Sequence, residues 1–212
     1  MMINNDRDNK LSAPGVTVGI VRENQDPENI GRVQIEFPHW EDQGITEWAR
    51  VAAPMAGAER GLYFLPEVGD EVLVAFEGGN IHSPYVVGCL WNGADKPPEV
   101  NDGKNNIRKI RSRSGHEIIF DDDAEGKAEK LIIRSNAGHC ITLDDAGGCE
   151  CVGIEDKSGN KITLDAAKNA IALECAGQLT IKANAIEIEA QATMELKAGA
   201  TMKVEGLLVQ IN

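Results

Sequence analysis

From residue 171 onward, apolar and polar side chains alternate by two, and the alternation recurs about every eight residues. Apolar pairs fall at Ile171/Leu173, Leu179/Ile181, Ile186/Ile188, Met194/Leu196, Met202/Val204 and Val209/Ile211. The steps between pairs are 8, 7, 8, 8 and 7 residues. Charged residues fill the alternate positions, as in Ile186-Glu187-Ile188-Glu189 and Met202-Lys203-Val204-Glu205. A period of two belongs to a strand with one dry face and one wet face. Such a strand, with two dry residues per unit, cannot bury itself. It must stack on its neighbours and on other copies of the chain. The pattern predicts a rod whose core is lined by Ile181, Ile186, Ile188, Met194, Leu196, Met202 and Val204.

Upstream the repeat is longer. Gly115-His116-Glu117-Ile118-Ile119-Phe120-Asp121-Asp122 is followed by Gly138-His139-Cys140-Ile141-Thr142-Leu143-Asp144-Asp145 and by Gly159-Asn160-Lys161-Ile162-Thr163-Leu164-Asp165. The glycines are 23 and 21 residues apart. A second apolar stretch follows each copy: Leu131-Ile132-Ile133, Cys151-Val152-Gly153-Ile154 and Ile171-Ala172-Leu173. Each unit reads as two strands joined by a turn bearing Asp or Gly, residues that tolerate the backbone angles turns need.

The first half reads differently. Strands are predicted over Gly15–Arg22, Arg32–Phe37, Glu47–Ala53, Glu71–Phe76 and Tyr85–Leu90, with turn residues between them. Five short strands in this span fit a small closed barrel, of which the OB-fold is the common five-stranded kind. All eight prolines lie at or before Pro98, and of the aromatics only Phe120 lies beyond Trp91. Prolines and aromatics suit a compact core; their absence suits a narrow repetitive structure. The division expected is an arm at 1–13, a barrel at 14–91, a linker at 92–106 and a rod at 107–212. The linker holds Gly93, Pro97, Pro98 and Gly103 and is too short for an inserted catalytic domain.

Charge and chemistry narrow the function. The net charge is −13. Phosphate backbones reward basic surfaces, so nucleic acid is not an expected partner. Trp40 and Trp48 flank acidic residues, and packing rather than base stacking is their expected role. No run of apolar residues is long enough for a membrane helix. Residues 1–8 lack the apolar stretch of a secretion signal. The cysteines, Cys89, Cys140, Cys149, Cys151 and Cys175, are odd in number, which points to free thiols. Cys149 and Cys151, if on one strand, share a face and serve as small apolar residues; no second pair completes a tetrahedral metal site. His116 and His139 hold equivalent positions after glycine. Turn bonding is their expected role, with an axial ion site in a threefold assembly as the alternative. No nucleophile–base set appears, so no enzyme activity and no cofactor are expected. Hexapeptide acyltransferases also have short apolar repeats, but these repeats are octads. A carbohydrate-binding barrel on a trimeric stalk stays open as a second reading.

The barrel segment also carries a resemblance. Gly31-Arg32-Val33-Gln34-Ile35-Glu36-Phe37-Pro38-His39-Trp40, Trp48-Ala49-Arg50-Val51, the run from Gly61-Leu62-Tyr63-Phe64-Leu65-Pro66-Glu67-Val68-Gly69-Asp70 to Phe76, Pro84-Tyr85-Val86-Val87-Gly88 and Leu90-Trp91-Asn92-Gly93 resemble the VgrG and phage baseplate spike family. The likeness covers residues 14–98 closely and 107–212 only in kind. It implies an all-β homotrimer, an OB-fold barrel followed by an intertwined triple-stranded β-helix. The implied function is the central puncturing spike of a contractile injection machine, assembled in the cytoplasm as part of a phage or phage-tail-like particle. It would meet the target membrane only on firing. VgrG proteins begin with a large tube-docking domain, and about 13 residues precede the barrel here. A separate hub protein is therefore expected at the barrel end. Leu208, Val209, Gln210, Ile211 and Asn212 are the expected seat of a PAAR-repeat tip protein.

Overall fold

In the computed structural model, residues 15–40, 44 and 47–211 are described. The expected arm at 1–13, Pro14 and Asn212 lie outside them. The chain packs as two units, Met1–Gly103 and Lys104–Asn212, and the division falls inside the 92–106 stretch.

In the first unit, β1 (Val16–Glu23), β2 (Arg32–Glu36), β3 (Ala49–Val51), β6 (Glu71–Phe76) and β7 (Pro84–Cys89) close a barrel in the order β1-β2-β3-β7-β6. Every pairing is antiparallel except β3 with β7. Alternate residues point inward, so Val21, Val33, Ile35, Val72, Val74 and Val86 are fully buried. Phe37, Trp40 and Phe76 close one end as a cluster with ring centroids 4.3–5.7 Å apart. Gly19 is an inward position on β1 where a Cβ would lie 2.3 Å from the Ile35 side chain, so only glycine lets β1 approach β2.

The five predicted barrel strands are present, with the third trimmed to Ala49–Val51. One element was not foreseen. β4 (Ala56–Gly57) and β5 (Arg60–Gly61) form a small hairpin between β3 and β6. Ala-Gly-Ala-Glu-Arg-Gly has no alternation from which to read it.

The second unit is a meander of β8 (Ile107–Arg111), β9 (Glu117–Asp121), β10 (Lys130–Arg134), β11 (Cys140–Asp144), β12 (Cys151–Glu155), β13 (Lys161–Asp165) and β14 (Ala170–Glu174). They form one antiparallel seven-stranded sheet in sequence order. β8 was not read as a strand, because Arg108, Lys109 and Arg111 hide its two isoleucines. Three hairpins share one turn chemistry. Ser112, Ser135 and Asp156 each accept a backbone bond from the glycine three residues on, Gly115, Gly138 and Gly159. Those glycines have φ of 86°, 93° and 83°, as a type I turn followed by a bulge requires. The connections at the other ends run 122–129, 145–150 and 166–169, each two residues shorter than the last. This shortening is why the glycine spacing falls from 23 to 21. Cys149 lies in the 145–150 turn, not on a strand beside Cys151; its amide donates to the Ala146 carbonyl. Beyond Glu174, residues 175–211 form no strand within the chain.

Candidate assembly surface

The register of the sheet sorts its side chains into rows. One row reads Ile110, Ile118, Ile133, Ile141, Ile154, Ile162, Leu173. Two positions along each strand, on the same face, a second reads Arg108, Phe120, Leu131, Leu143, Val152, Leu164, Ile171. Every member except Arg108 is a large apolar side chain. Yet Ile141 is 37 % exposed, Ile154 45 % and Leu173 53 % among the described residues. Large continuous apolar patches are rare on soluble monomers and mark an interface. Arg108 bends out of its row to bond the Asp122 carboxylate and the carbonyls of Asn105 and Asn106.

The opposite face is polar along its outer rows, while its middle row holds Ile119, which is buried, and Ile132. One of its rows reads Arg111, Glu117, Arg134, Cys140, Glu155, Lys161, Glu174, with sign alternating on either side of the thiol. Lys109 and Arg111 approach Glu117 to 3.7 and 3.6 Å. Along the turn edge, His116 Nδ1 accepts from the Asn136 amide at 3.3 Å, and His139 Nδ1 accepts from the Lys157 amide at 3.4 Å. Each histidine thus ties its turn to the next. In the third turn Asn160 stands in place of histidine and bonds Asp156, whose carboxyl is held below the usual range chiefly by that side chain.

The seven residues assigned to the rod core, Ile181, Ile186, Ile188, Met194, Leu196, Met202 and Val204, are all exposed in the single chain. The chain supplies them no strand partner. Of the residues assigned to the tip, Leu208, Val209 and Ile211 are exposed as well. The longer apolar surface lies upstream of the octads, and the same alternation in 118–173 carries its signal.

On the barrel, Asp26 anchors the loop between β1 and β2. It is buried and accepts from the amides of Glu28, Ile30 and Arg32 and, in bidentate fashion, from the Arg32 guanidinium. The Arg32 side chain holds this carboxyl well below the usual carboxylate range. Arg32 also lies over Trp48, 5.8 Å from its ring centroid, so Trp48 packs on a cation and Trp40 on the core. Among the described residues no group of three or more His, Cys, Asp or Glu is placed to hold a metal ion, and no helix is long and apolar enough to cross a membrane.

Comparison with known proteins bears on both units. Residues 17–91 match the family model of the type VI secretion system/phage-baseplate injector OB domain. The barrel thus matches an injector OB domain, and the chain is similar to VgrG and phage baseplate spike proteins. It is similar to the type VI secretion system spike protein VgrG4b of Pseudomonas aeruginosa, 34% identical over 115 residues, which is 44% of this chain and 14% of that protein. VgrG2a of the same organism is 31% identical over 102 residues, 43% of this chain and 12% of the relative. The Vibrio cholerae spike protein VgrG3 is 28% identical over 118 residues, 51% of this chain and 11% of the relative. The chain thus aligns with about one seventh or less of the length of these spike-family relatives.

Proposed function

We propose that three copies of this chain wind into the central puncturing spike of a contractile injection machine, which pierces the target envelope when the sheath contracts. The observation that carries this reading is the two-row apolar face of the seven-stranded sheet, largely exposed among the described residues and continued by octads with no strand partner there. Each further aliphatic side chain brought from exposed to buried contributes roughly 1.5–3 kcal/mol, and a threefold assembly repeats every position three times. Three such faces turned inward enclose an apolar core, leave the charged rows outside, and pair the octads of each chain with those of the other two. Pairing between chains also removes free strand edges. Unthreading three chains together raises the barrier to unfolding, which suits a part that must carry force.

In this reading the chain is mechanical and carries no catalysis. A hub protein binds at the barrel end. A PAAR-repeat protein seats on residues 208–212, of which Leu208 is 83 % and Ile211 91 % exposed. Assembly takes place in the cytoplasm within the particle. The deciding experiment is the mass in solution by light scattering: about three times 22.8 kDa is expected, and a monomer would sink the reading. Removing residues 207–212 should abolish co-purification of the tip protein at one copy per trimer. Undiminished co-purification would refute the tip assignment alone.

A further inference from the structure

The barrel carries an apolar surface that the rod does not account for. The segments flanking the β4–β5 hairpin present Met55, Leu62, Tyr63 and Phe64, which are 52, 48, 78 and 67 % exposed. Ile30 stands near them at 62 %. The hairpin is rigidly built. The Leu62 amide donates to the Met55 carbonyl at 3.0 Å, and Glu59 holds a φ of 54° at the turn. Gly61 has a φ of 151°, and a Cβ there would lie 2.5 Å from the Met55 oxygen. A hairpin this constrained lowers the backbone entropy lost on contact.

We propose that, in the trimer proposed above, the three hairpins meet one another, with Tyr63 and Phe64 of each copy packed against the hairpins of the other two. Three observations select a second copy of this chain as the occupant. The patch is small: a stable contact between free proteins needs about 800 Å² and 20–30 residues a side, and a handful of side chains falls short. A tethered partner needs far less, because linkage supplies an effective concentration of about millimolar for short linkers. The tether is short as well. Cys89 ends β7 and Ile107 begins β8, so the connection spans at most about 60 Å when fully extended. Finally, the hairpin carries Glu59 next to Arg60. A surface with both signs can face its own copy, Arg60 toward the neighbour's Glu59, without like-charge repulsion.

The test uses the full chain. A photo-crosslinking phenylalanine analogue is placed at Tyr63 and, as a control, at Asn80 in the exposed turn before β7. Illumination of the Tyr63 probe should give covalent dimers and trimers whose linked peptides map to residues 52–65 of another copy, and the Asn80 probe should not. Independently, trypsin should cut after Arg60 about tenfold more slowly in the wild-type trimer than in Tyr63→Ser/Phe64→Ser at unchanged mass, since contact suppresses local opening. Crosslinks confined to the probe's own chain or to a different protein, or equal cleavage rates in a trimer of correct mass, would overturn the proposal and leave the trimer standing. A monomeric wild type would overturn the trimer itself.

Discussion

Ile162 and Thr163 are neighbours on β13 that face opposite ways, and they offer a matched test of the proposed core. Ile162 sits in register between Ile154 and Leu173 and is 37 % exposed in the single chain. Full burial of such a side chain contributes roughly 1.5–3 kcal/mol. A little over a third of that remains to be gained on assembly, about 0.5–1 kcal/mol per copy on the same scale. Ile162→Asp loses this three times over and adds a larger cost. Each carboxylate carried into an apolar core without a partner costs several kcal/mol, so three cost on the order of 10 kcal/mol, comparable with the 5–15 kcal/mol that holds a typical domain folded. Thr163→Asp puts the same charge on the opposite face, at a half-buried position between Lys161 and Asp165 with Gly153 and Ala172 as its cross-strand neighbours, where an ordinary substitution costs about 1 kcal/mol. Light scattering over a range of concentrations should find Ile162→Asp as monomer or aggregate and Thr163→Asp as trimer. Were Ile162→Asp to keep a trimeric mass, or Thr163→Asp to lose it, the assignment of the inner face would be wrong.

The same logic extends to the octads: Ile188→Asp should prevent assembly and Glu187→Ala should not, and a heat-stable trimer of the first would show that the octads face the other way. Asp26→Asn removes a carboxylate whose pKa folding depresses, so the stability it contributes is present above the unfolded value of about 3.9 and fades as pH falls below it. The variant should melt lower at neutral pH and show a shallower loss of barrel stability on acidification; an unchanged acid slope would mean that other carboxylates carry it. Gly138→Ala forces a side chain to adopt a φ of 93° where space is open, the nearest atom being 3.6 Å away. The cost should therefore be conformational only, roughly 1–3 kcal/mol. An unaltered melting temperature would show that the turn relaxes.

The barrel was legible because its strands have one dry face that the chain itself covers. Val33 and Ile35, or Val72, Val74 and Phe76, announce their period and their burial together. The β4–β5 hairpin was not legible, since its conformation is set by Gly61 and by backbone bonds rather than by alternation. Ile118, Ile141 and Ile162 were recognised as strand residues, but their alignment into one row depends on connections of differing length. That alignment needs the pairing of strands to be known. His116 and His139 were assigned to turns, and each does bond the neighbouring turn. What sequence could not give was the regular repetition of that bond from Asn136 to Lys157. Cys149 is off the strand because its amide closes the 145–150 turn on the Ala146 carbonyl, and spacing from Cys151 alone does not show where the turn ends.

The apolar face sets its register only in part. If β10 slid two residues along β9, Ile133 would come opposite Phe120, but Leu131 would move opposite Asp122 and Ile118 opposite Ser135, so one of two apolar pairs would survive. The polar face would lose more: Arg134 would move from Glu117 to Ile119, and Asp121 from Lys130 to Ile132. Register in the sheet therefore rests on the charged rows and the glycine turns as well as on the apolar pairs. The same partial degeneracy applies between copies in the proposed trimer. Three faces of isoleucine and leucine would keep part of their packing after an axial slip, so the core supplies stability and fixes alignment only in part. A discrete contact elsewhere has to complete it. The rigid hairpin at Met55–Phe64, carried by every copy outside the repeat, has the localised aromatic character that such an alignment point requires.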